Sequence, residues 1–145
     1  MSKPMVQAYL NFNGRCEEAV EFYRTALGAQ VDMMLRFQDA PKEGQCPPDE
    51  AGNITPNKIM HCSFRIGEST VMASDCRCEG KAGFEGFSLS LTVSTEAEAD
   101  HYFAALSEGG KVEMPLGKTF FSPRFGVVSD RFGVSWMVVM MHAGQ

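Results

Sequence analysis

The side chains best suited to chemistry in this sequence lie on two predicted strands of its first half. His61 and Arg65 are four positions apart in an alternating segment, so they share one face of a strand. Tyr9 lies between Gln7 and Asn11 in an earlier alternating segment. A histidine can act as a general base near neutral pH, and arginine, tyrosine or glutamine can orient an anionic or carbonyl group. This combination predicts a site for a small oxygenated or aromatic ligand, with His61 as the candidate catalytic residue.

Similar mixed faces recur on the strands predicted in the second half. One face of residues 87–93 carries two serines and a threonine, and one face of the last strand carries Ser135 and Met137. Two interpretations stay open, because such a face can simply meet water or can line a concave, part-polar pocket. On the second interpretation, the predicted ligand-binding residues are Gln7, Tyr9, Asn11, His61, Arg65, Ser88, Ser90 and Met137.

The five cysteines do not indicate a disulfide framework. Cys16, Cys46, Cys62, Cys76 and Cys78 are an odd number without framework spacing, which is typical of free thiols in a reducing compartment. The single residue between the last two is too short a gap for the usual zinc pair, and we interpret that segment as a turn. The thiols therefore favour a cytoplasmic protein.

Strands and helices must position these residues, and the first half predicts the order β-α-β-β-β. Apolar residues at helical spacing predict a helix at Cys16–Leu27, with Gly28 as its C-cap. On the strand that carries His61, alternation assigns Met60 and Cys62 to the apolar face that packs on the helix. The strands are predicted at residues 6–12, 31–37, 59–66 and 69–74.

The second half repeats this order. Thr95 followed by Glu98 predicts a capping box, which opens a helix that runs to about Gly109. A β-hairpin closes the chain, and its turn suits Asp130 and Gly133, because aspartate can bond its own backbone and glycine tolerates a positive φ. The strands of this half are predicted at residues 87–93 and 112–116 and on both sides of the turn.

The repeat predicts an α+β fold of two βαβββ modules. The modules span residues 5–76 and 84–142 of one domain, 1–145, and form a cupped mixed sheet with the helices on the outside. The first module is longer than the second between corresponding turn glycines, and the excess falls in the Pro- and Gly-rich residues 38–57. We interpret that segment as an inserted loop, which is either a lid over one mouth of the protein or a disordered surface loop.

Composition and charge exclude several classes of partner. The formal net charge is -5, and the basic residues are dispersed, so nucleic acid and anionic membrane are poor partners. No charged leader precedes an apolar run at the N-terminus. The apolar run near the C-terminus is far shorter than the roughly 20 residues that a membrane span needs. We expect a small-molecule ligand instead.

Three segments and the two-module plan together resemble the vicinal oxygen chelate superfamily, which includes glyoxalases, bleomycin-resistance proteins and extradiol dioxygenases. The resemblance is strongest to its PhnB-like branch, often labelled as a 3-demethylubiquinone methyltransferase domain, and covers nearly the whole chain. It implies a glyoxalase-like fold and a homodimer in which modules pair within a chain or by exchange. The segments are Tyr9-Leu-Asn-Phe-Asn-Gly-Arg-Cys-Glu-Glu-Ala-Val-Glu-Phe-Tyr23, Met72-Ala-Ser-Asp75 and Phe125-Gly-Val-Val-Ser-Asp-Arg-Phe-Gly-Val-Ser-Trp136.

The resemblance also implies where a metal would be held. Metal-dependent members place His, Gln or Glu ligands at positions that fall on or beside Gln7, on Ser88 and on Met137. A thioether and a neutral hydroxyl leave a hard divalent cation unneutralised, so we predict no metal and no other cofactor. A metal site rebuilt from His61 and Asp75 is the alternative.

Three functions follow from these expectations, of which the third is a residual metalloenzyme, indicated by bound metal after purification without chelator. The first is a metal-free protein that binds a small molecule, and the second is an enzyme acting on a small oxygenated or aromatic substrate with His61 as its base. Ligand binding without turnover would indicate the first, whereas a folded H61A variant that has lost turnover would indicate the second. The methyl transfer named by the branch label is not expected, because no Gly-rich G-x-G-x-x-G turn is present.

Overall fold

A computed structural model describes residues 4–12, 14–39, 58–75 and 84–141. The chain divides into two compact units, Met1–Ala82 and Gly83–Gln145, called unit 1 and unit 2. Each unit contains a strand, a helix and three further strands in that order. The predicted α+β class with two βαβββ modules is confirmed.

Unit 1 is a four-stranded mixed sheet, called sheet 1, with one helix. Its elements are β1 (Tyr9–Asn11), α1 (Cys16–Leu27), β2 (Gln30–Arg36), a 3-10 turn (Phe37–Asp39), β3 (Ile59–Ile66) and β4 (Ser69–Ser74). The strand order is β1-β4-β3-β2, in which β1 and β4 are parallel and the other pairs antiparallel. β1 is shorter than predicted because its pairing with β4 begins at Tyr9, so Gln7 precedes the strand.

Helix α1 has the predicted bounds and packs its apolar side on sheet 1. Ala19 and Tyr23 are buried, and the Tyr23 ring stacks on Phe64 of β3 with ring centroids 5.9 Å apart. The helix ends where predicted because Gly28 adopts the left-handed conformation, with a φ of 69°. Its N–H donates to the carbonyl oxygen of Arg24 at 3.1 Å.

The predicted alternation of β3 is interrupted near its start. Ile59, Cys62 and Phe64 are buried, whereas Met60 is half-buried. β2 pairs with the residues on either side of Met60 and skips Met60 itself, as at a β-bulge. The prediction that Met60 shares the buried face of Cys62 is therefore wrong. The extra residue reverses the alternation, so the side chain of Ile59 points into the core instead.

Unit 2 repeats the arrangement in a second four-stranded sheet, called sheet 2. Its elements are β5 (Leu89–Val93), α2 (Glu96–Ser107), β6 (Lys111–Gly117), β7 (Phe125–Ser129) and β8 (Ser135–Met140). The order is β5-β8-β7-β6, with β5 parallel to β8. β5 begins at Leu89, later than predicted, so Ser88 precedes it, and α2 ends shortly before Gly109 as expected.

Helix α2 begins at the predicted N-cap, Thr95, and approaches sheet 2 closely. The Thr95 hydroxyl accepts the Glu98 N–H at 3.1 Å, and the Glu98 carboxylate accepts the Ser94 N–H at 3.3 Å. A Cβ added at Gly126 of β7 would lie 2.7 Å from the Phe103 ring of α2. The absent side chain at Gly126 therefore allows the helix to pack this close to the sheet.

Asp130 organises the turn of the β7–β8 hairpin. Its side chain is 3% exposed, and its Oδ1 accepts the N–H of Phe132 at 2.8 Å and of Val134 at 3.1 Å. Gly133 has a φ of 89°, as the predicted turn requires. Oδ2 accepts the indole N–H of Trp136 at 2.9 Å, a contact that the sequence pattern did not predict.

Several predictions fall on residues outside the described ranges. They concern most of the inserted loop (residues 40–57), Cys46, Cys76, Cys78 and the module boundaries at residues 76 and 142. In the ranges that are described, no helix combines the length and the hydropathy needed to cross a bilayer.

Candidate functional site

The strand pairing of unit 1 brings its predicted site residues onto one face of sheet 1. Cys62 and Phe64 of β3 point towards α1, so the residues that alternate with them point to the opposite face. Register pairs place Tyr9 of β1 beside Met72 of β4, and Met72 beside Ser63 of β3, so three strands share that face. The polar face of sheet 1 is defined by Tyr9, Asn11, His61, Ser63, Arg65, Met72 and Ser74.

A tyrosine and a histidine hydrogen-bond each other on this face. The Tyr9 hydroxyl lies 3.2 Å from Nδ1 of His61, and the two ring centroids are 5.7 Å apart. Tyr9 is 43% exposed and His61 is half-buried, so a ligand can reach both from solvent. The pair offers an aromatic surface, a hydroxyl and an imidazole ring nitrogen. It can therefore bind an oxygen of a small molecule and move a proton to or from it.

Two amide side chains flank Tyr9 along the chain. Gln7 is half-buried just before β1, and Asn11 is half-buried at its end. The buried Ser74 donates its hydroxyl hydrogen to Oδ1 of Asn11 at 3.0 Å. With that oxygen engaged, the Asn11 amide offers its N–H groups as donors, fixed in place by the strand pairing.

Arg65 lies on the same face, but its charge is already compensated. Its Nε lies 3.0 Å from both carboxylate oxygens of Asp32, and its Nη2 donates to Oε1 of Gln30 at 3.0 Å. Asp32 and Gln30 belong to β2, and the sequence pattern did not connect them to Arg65. An ion-paired guanidinium attracts an anionic ligand less than an unpaired one, so this arrangement favours a carbonyl group over a full anion.

The site residues predicted in the second half lie on one face of sheet 2. Met137 of β8 pairs with Ser90 of β5 and Val127 of β7. The Ser88 hydroxyl lies 2.7 Å from that of Ser135, at the start of the paired strands. Hydroxyls and a thioether can bind a ligand but do not exchange protons near neutral pH. The structure thus places the predicted imidazole and phenol in unit 1, whereas the predicted residues of unit 2 offer hydroxyls and a thioether.

Asp75, the alternative metal ligand, accepts hydrogen bonds from three backbone N–H groups in two segments of unit 1. It is 1% exposed, and its Oδ1 accepts the N–H of Gly14 at 2.7 Å and of Cys16 at 3.0 Å. Oδ2 accepts the N–H of Ile59 at 3.1 Å. Helix α1 has no side-chain cap at Arg15. The side chain of Asp75, which follows β4, instead accepts an N–H group at the start of this helix. Both carboxylate oxygens are thus engaged inside the protein.

Two cysteines meet beneath sheet 1. Cys16 and Cys62 are free and fully buried, and their sulfur atoms are 3.7 Å apart. The hydrogen bond between them, burial and the nearby negative charges raise the pKa of the Cys16 thiol. A buried, protonated thiol is a poor nucleophile, so Cys16 acts as a small core residue.

The residues at the metal positions of the resembled superfamily do not fit a hard cation. Gln7 offers a neutral amide, the Ser88 hydroxyl is engaged by Ser135, and Met137 offers a thioether. Among the residues that the structure describes, no three His, Cys, Asp or Glu side chains are grouped as a metal site requires. Divalent cations such as Mg²⁺ and Ca²⁺ need several oxygen ligands that carry negative charge, which this donor set does not provide.

Comparisons with known proteins match the chain along nearly its whole length. A family model described as 3-demethylubiquinone-9 3-methyltransferase matches residues 4–139. Protein PA1353 from Pseudomonas aeruginosa is 42% identical with a TM-score of 0.81, and the match covers 96% of this chain and 98% of that one. The PhnB protein from Bacillus cereus is 28% identical with a TM-score of 0.76, covering 94% and 99% of the two chains.

A more distant neighbour shares the fold alone. The fosfomycin resistance protein FosX from Listeria monocytogenes is 8% identical with a TM-score of 0.63, and the match covers 99% of this chain and 94% of that one. At this identity the backbone arrangement is common to the two proteins, whereas the chemistry must be argued from the residues of each.

Proposed function

The chain belongs to the family described as 3-demethylubiquinone-9 3-methyltransferase, in its PhnB-like branch with a glyoxalase-like fold, and from this premise we propose that it binds a small organic molecule on the polar face of sheet 1 without a metal ion. The membership agrees with the resemblance read from the sequence. The observation that carries the proposal is the Tyr9–His61 hydrogen bond, since it holds two ligand-binding groups on an accessible face.

The chemistry of that face indicates the kind of ligand. Tyr9 supplies ring surface as well as a hydroxyl, and Asn11 supplies amide donors held by Ser74. Arg65 is neutralised by Asp32, so the face attracts a carbonyl-bearing molecule better than a highly charged one. These features support a small oxygenated or aromatic ligand.

The absence of a metal is supported by the chemistry of the available ligands. Ser88 and Met137 occupy two of the superfamily's metal positions with a hydroxyl and a thioether. Asp75 engages both carboxylate oxygens with backbone N–H groups, which weakens the alternative site with His61. Elemental analysis of protein purified without tag or chelator, with a thermal-shift titration across divalent cations, tests this. We expect substoichiometric metal and no shift, whereas stoichiometric metal with stabilisation would contradict the proposal.

An enzyme that acts on such a ligand is the second candidate, favoured by the same hydrogen bond. A histidine beside a tyrosine hydroxyl can relay a proton to or from a bound substrate. Methyl transfer, the activity in the family's description, is a weaker candidate. In the described ranges, sheets 1 and 2 each contain a single parallel pair, unlike the parallel βαβ sheet around a Gly-rich turn that the usual S-adenosylmethionine site requires.

The proposal includes a cytoplasmic homodimer. Each unit exposes apolar residues on the edge strand of its sheet: Val31 and Met33 on β2, and Val112 and Met114 on β6. Apolar side chains grouped on a surface are typical of protein interfaces, which supports a second copy as the partner. Light scattering after size exclusion tests this, with two chains per particle expected and a single chain at high concentration contradicting it. The free thiols of Cys16 and Cys62 support the reducing compartment.

Ligand binding is tested by NMR on ¹⁵N-labelled protein. The probes are small aromatic and aliphatic carbonyl compounds, and we expect the largest shift changes at Tyr9, Asn11 and His61. H61A is expected to weaken binding about tenfold, the effect of one good hydrogen bond. The matched control is H101A, which removes an exposed histidine on α2 of unit 2. Shift changes elsewhere, or equal affinity in the two variants, would contradict the site.

The same panel separates the two candidate functions. A binding protein leaves each bound compound chemically unchanged over hours, in the wild type and in H101A. An enzyme converts one of them, and H61A abolishes the conversion while its amide spectrum stays that of the folded protein. Conversion that persists in H61A would contradict His61 as the catalytic residue.

A further inference from the structure

We propose that Tyr9 is a positioning residue that holds His61 in the tautomer with its proton on Nε2, so that His61 presents a hydrogen-bond donor to an oxygen of the ligand. The ligand part of this inference rests on the proposed function of the polar face. The tautomer itself does not, because it follows from contacts within unit 1.

The direction of the Tyr9–His61 hydrogen bond follows from the chemistry of the two groups. Neutral imidazole carries one N–H and one basic nitrogen, and a phenol carries an acidic O–H and a weakly basic oxygen. The stronger pairing is the phenol O–H donating to the basic ring nitrogen. The nitrogen within 3.2 Å of the Tyr9 hydroxyl is Nδ1, so Nδ1 is the acceptor and the ring proton lies on Nε2.

The strands on which the two residues lie keep the pair in place. Tyr9 follows the parallel β1–β4 register, and its neighbour Leu10 is 2% exposed on the opposite face. His61 precedes the fully buried Cys62, whose register partner on β4 is Ala73. Because β4 lies between β1 and β3, the two rings reach each other across one strand.

The second ring nitrogen of His61 is the one that remains for a ligand. Within the described ranges, the structure gives His61 one hydrogen bond, and it is made by Nδ1. Nε2 is therefore the ring nitrogen that a ligand approaching the half-buried ring can contact. A protonated Nε2 binds an acceptor such as a carbonyl or carboxylate oxygen, which agrees with the amide donors of Asn11 nearby on the same face.

This tautomer changes the role expected of His61 from the sequence. A general base needs a lone pair facing the substrate, and here that lone pair is engaged by Tyr9. In the binding function, His61 instead selects ligands that carry an oxygen acceptor. In the enzyme function, it polarises a substrate oxygen as a donor.

Ring ¹⁵N chemical shifts, measured at a pH where the imidazole is neutral, test the tautomer without any ligand. In the wild type, we expect His61 with its proton on Nε2. In Y9F, we expect the population of the minor tautomer to rise about three- to tenfold, the range expected from losing one hydrogen bond. Y9F removes one oxygen from a partly exposed ring, and the amide spectrum checks that the fold is retained.

The matched control is Y102F on α2, where the Tyr102 ring lies beside His101 with centroids 5.3 Å apart. We expect this variant to leave the His61 ring shifts unchanged. A wild-type proton on Nδ1, or an unchanged tautomer ratio in Y9F, would overturn the inference. Failure of the carbonyl panel to bind would overturn the proposed function and leave the tautomer result standing, so the two failures are distinguishable.

Discussion

Units 1 and 2 share an order of elements and a sheet topology, but they place their buried carboxylates at opposite ends of the sheet. Asp75 follows β4 and holds the segments that begin α1 and β3. Asp130 follows β7 and holds the hairpin turn and the Trp136 indole. Among the described residues, each carboxylate accepts three N–H groups, so both units use a buried aspartate in this way but at different positions of the fold.

The local sequence explains why each unit needs its carboxylate where it is. α2 has its own cap in Thr95, whereas α1 has none at Arg15 and depends on Asp75. The β3–β4 turn needs only Gly67 and Glu68, whereas the longer β7–β8 turn leaves N–H groups that Asp130 satisfies. A buried carboxylate thus appears where the backbone leaves orphan donors.

The faces turned away from the helices differ in a similar way. Sheet 1 carries His61 and Tyr9 in a hydrogen bond, whereas sheet 2 carries paired serines and Met137. Both faces are candidates for ligand binding, but among the described residues only the first pairs an imidazole ring with a hydroxyl. The repeat therefore supplies two similar scaffolds, and the proposed chemistry is concentrated on one.

Removing the carboxylate of Asp75 is expected to have the largest effect on stability. D75A leaves three N–H groups without their acceptor, two of them buried, and should lower the free energy of unfolding by about 3–5 kcal/mol. Urea unfolding followed by circular dichroism measures the loss. D75N keeps the size and one acceptor oxygen, and it should lose less. A loss below about 1 kcal/mol in D75A would contradict the anchoring role.

The corresponding change in unit 2, D130A, should cost about 2–4 kcal/mol. The loss is smaller because the partners of Asp130 lie at most 6 residues away in one hairpin, whereas Asp75 joins segments 16 to 61 residues apart. The chain has one tryptophan, so the fluorescence of Trp136 reports directly on this site. A double-mutant cycle with W136F isolates the indole bond. Zero coupling energy in that cycle would contradict the contact.

The two helix starts give a sharper, smaller test. T95A removes the side-chain cap of α2 and should cost about 1 kcal/mol. The matched change R15A, at the same position of α1, removes no cap and should cost much less. Urea midpoints at equal slope measure both. Equal losses in the two variants would mean that the helices begin in the same way.

The smallest effect concerns the ion pair between Glu17 and Arg36. The hydrogen bond from Arg36 lowers the pKa of the Glu17 carboxyl, which is largely exposed. A lowered folded-state pKa stabilises the protein above the unfolded-state value, and that contribution is lost as the pH falls through the folded-state value. Carboxyl ¹³C NMR titration should show the Glu17 pKa rising towards its ordinary value in R36A. An unchanged titration would contradict the pair.

Local patterns accounted for the elements of both units. The N-cap at Thr95, the C-cap at Gly28 and the turn at Asp130 depend on residues within a few positions of one another, and all three were predicted. The bulge at Met60 was not predicted, because a register shift depends on the partner strand. The role of Asp75 was also missed, since its partners lie up to 61 residues away in the chain.

The candidate site shows the same division. Alternation along the sequence is enough to assign Tyr9, His61 and Arg65 to polar strand faces. It does not show that Asp32 neutralises Arg65, or that Tyr9 bonds to Nδ1 of His61. These contacts depend on which strands are neighbours.

The sequence by itself determined the order of helices and strands, their caps and turns, and the family to which the chain belongs. It could do so because hydrophobic period and turn chemistry act over short distances along the chain. Only the tertiary structure decided which polar side chains meet. In sheet 1 the parallel β1–β4 pairing brings Tyr9 within one strand of His61. This pairing joins residues that no local sequence pattern relates. Its stability comes from burial of the whole sheet against α1, which is a property of the tertiary structure.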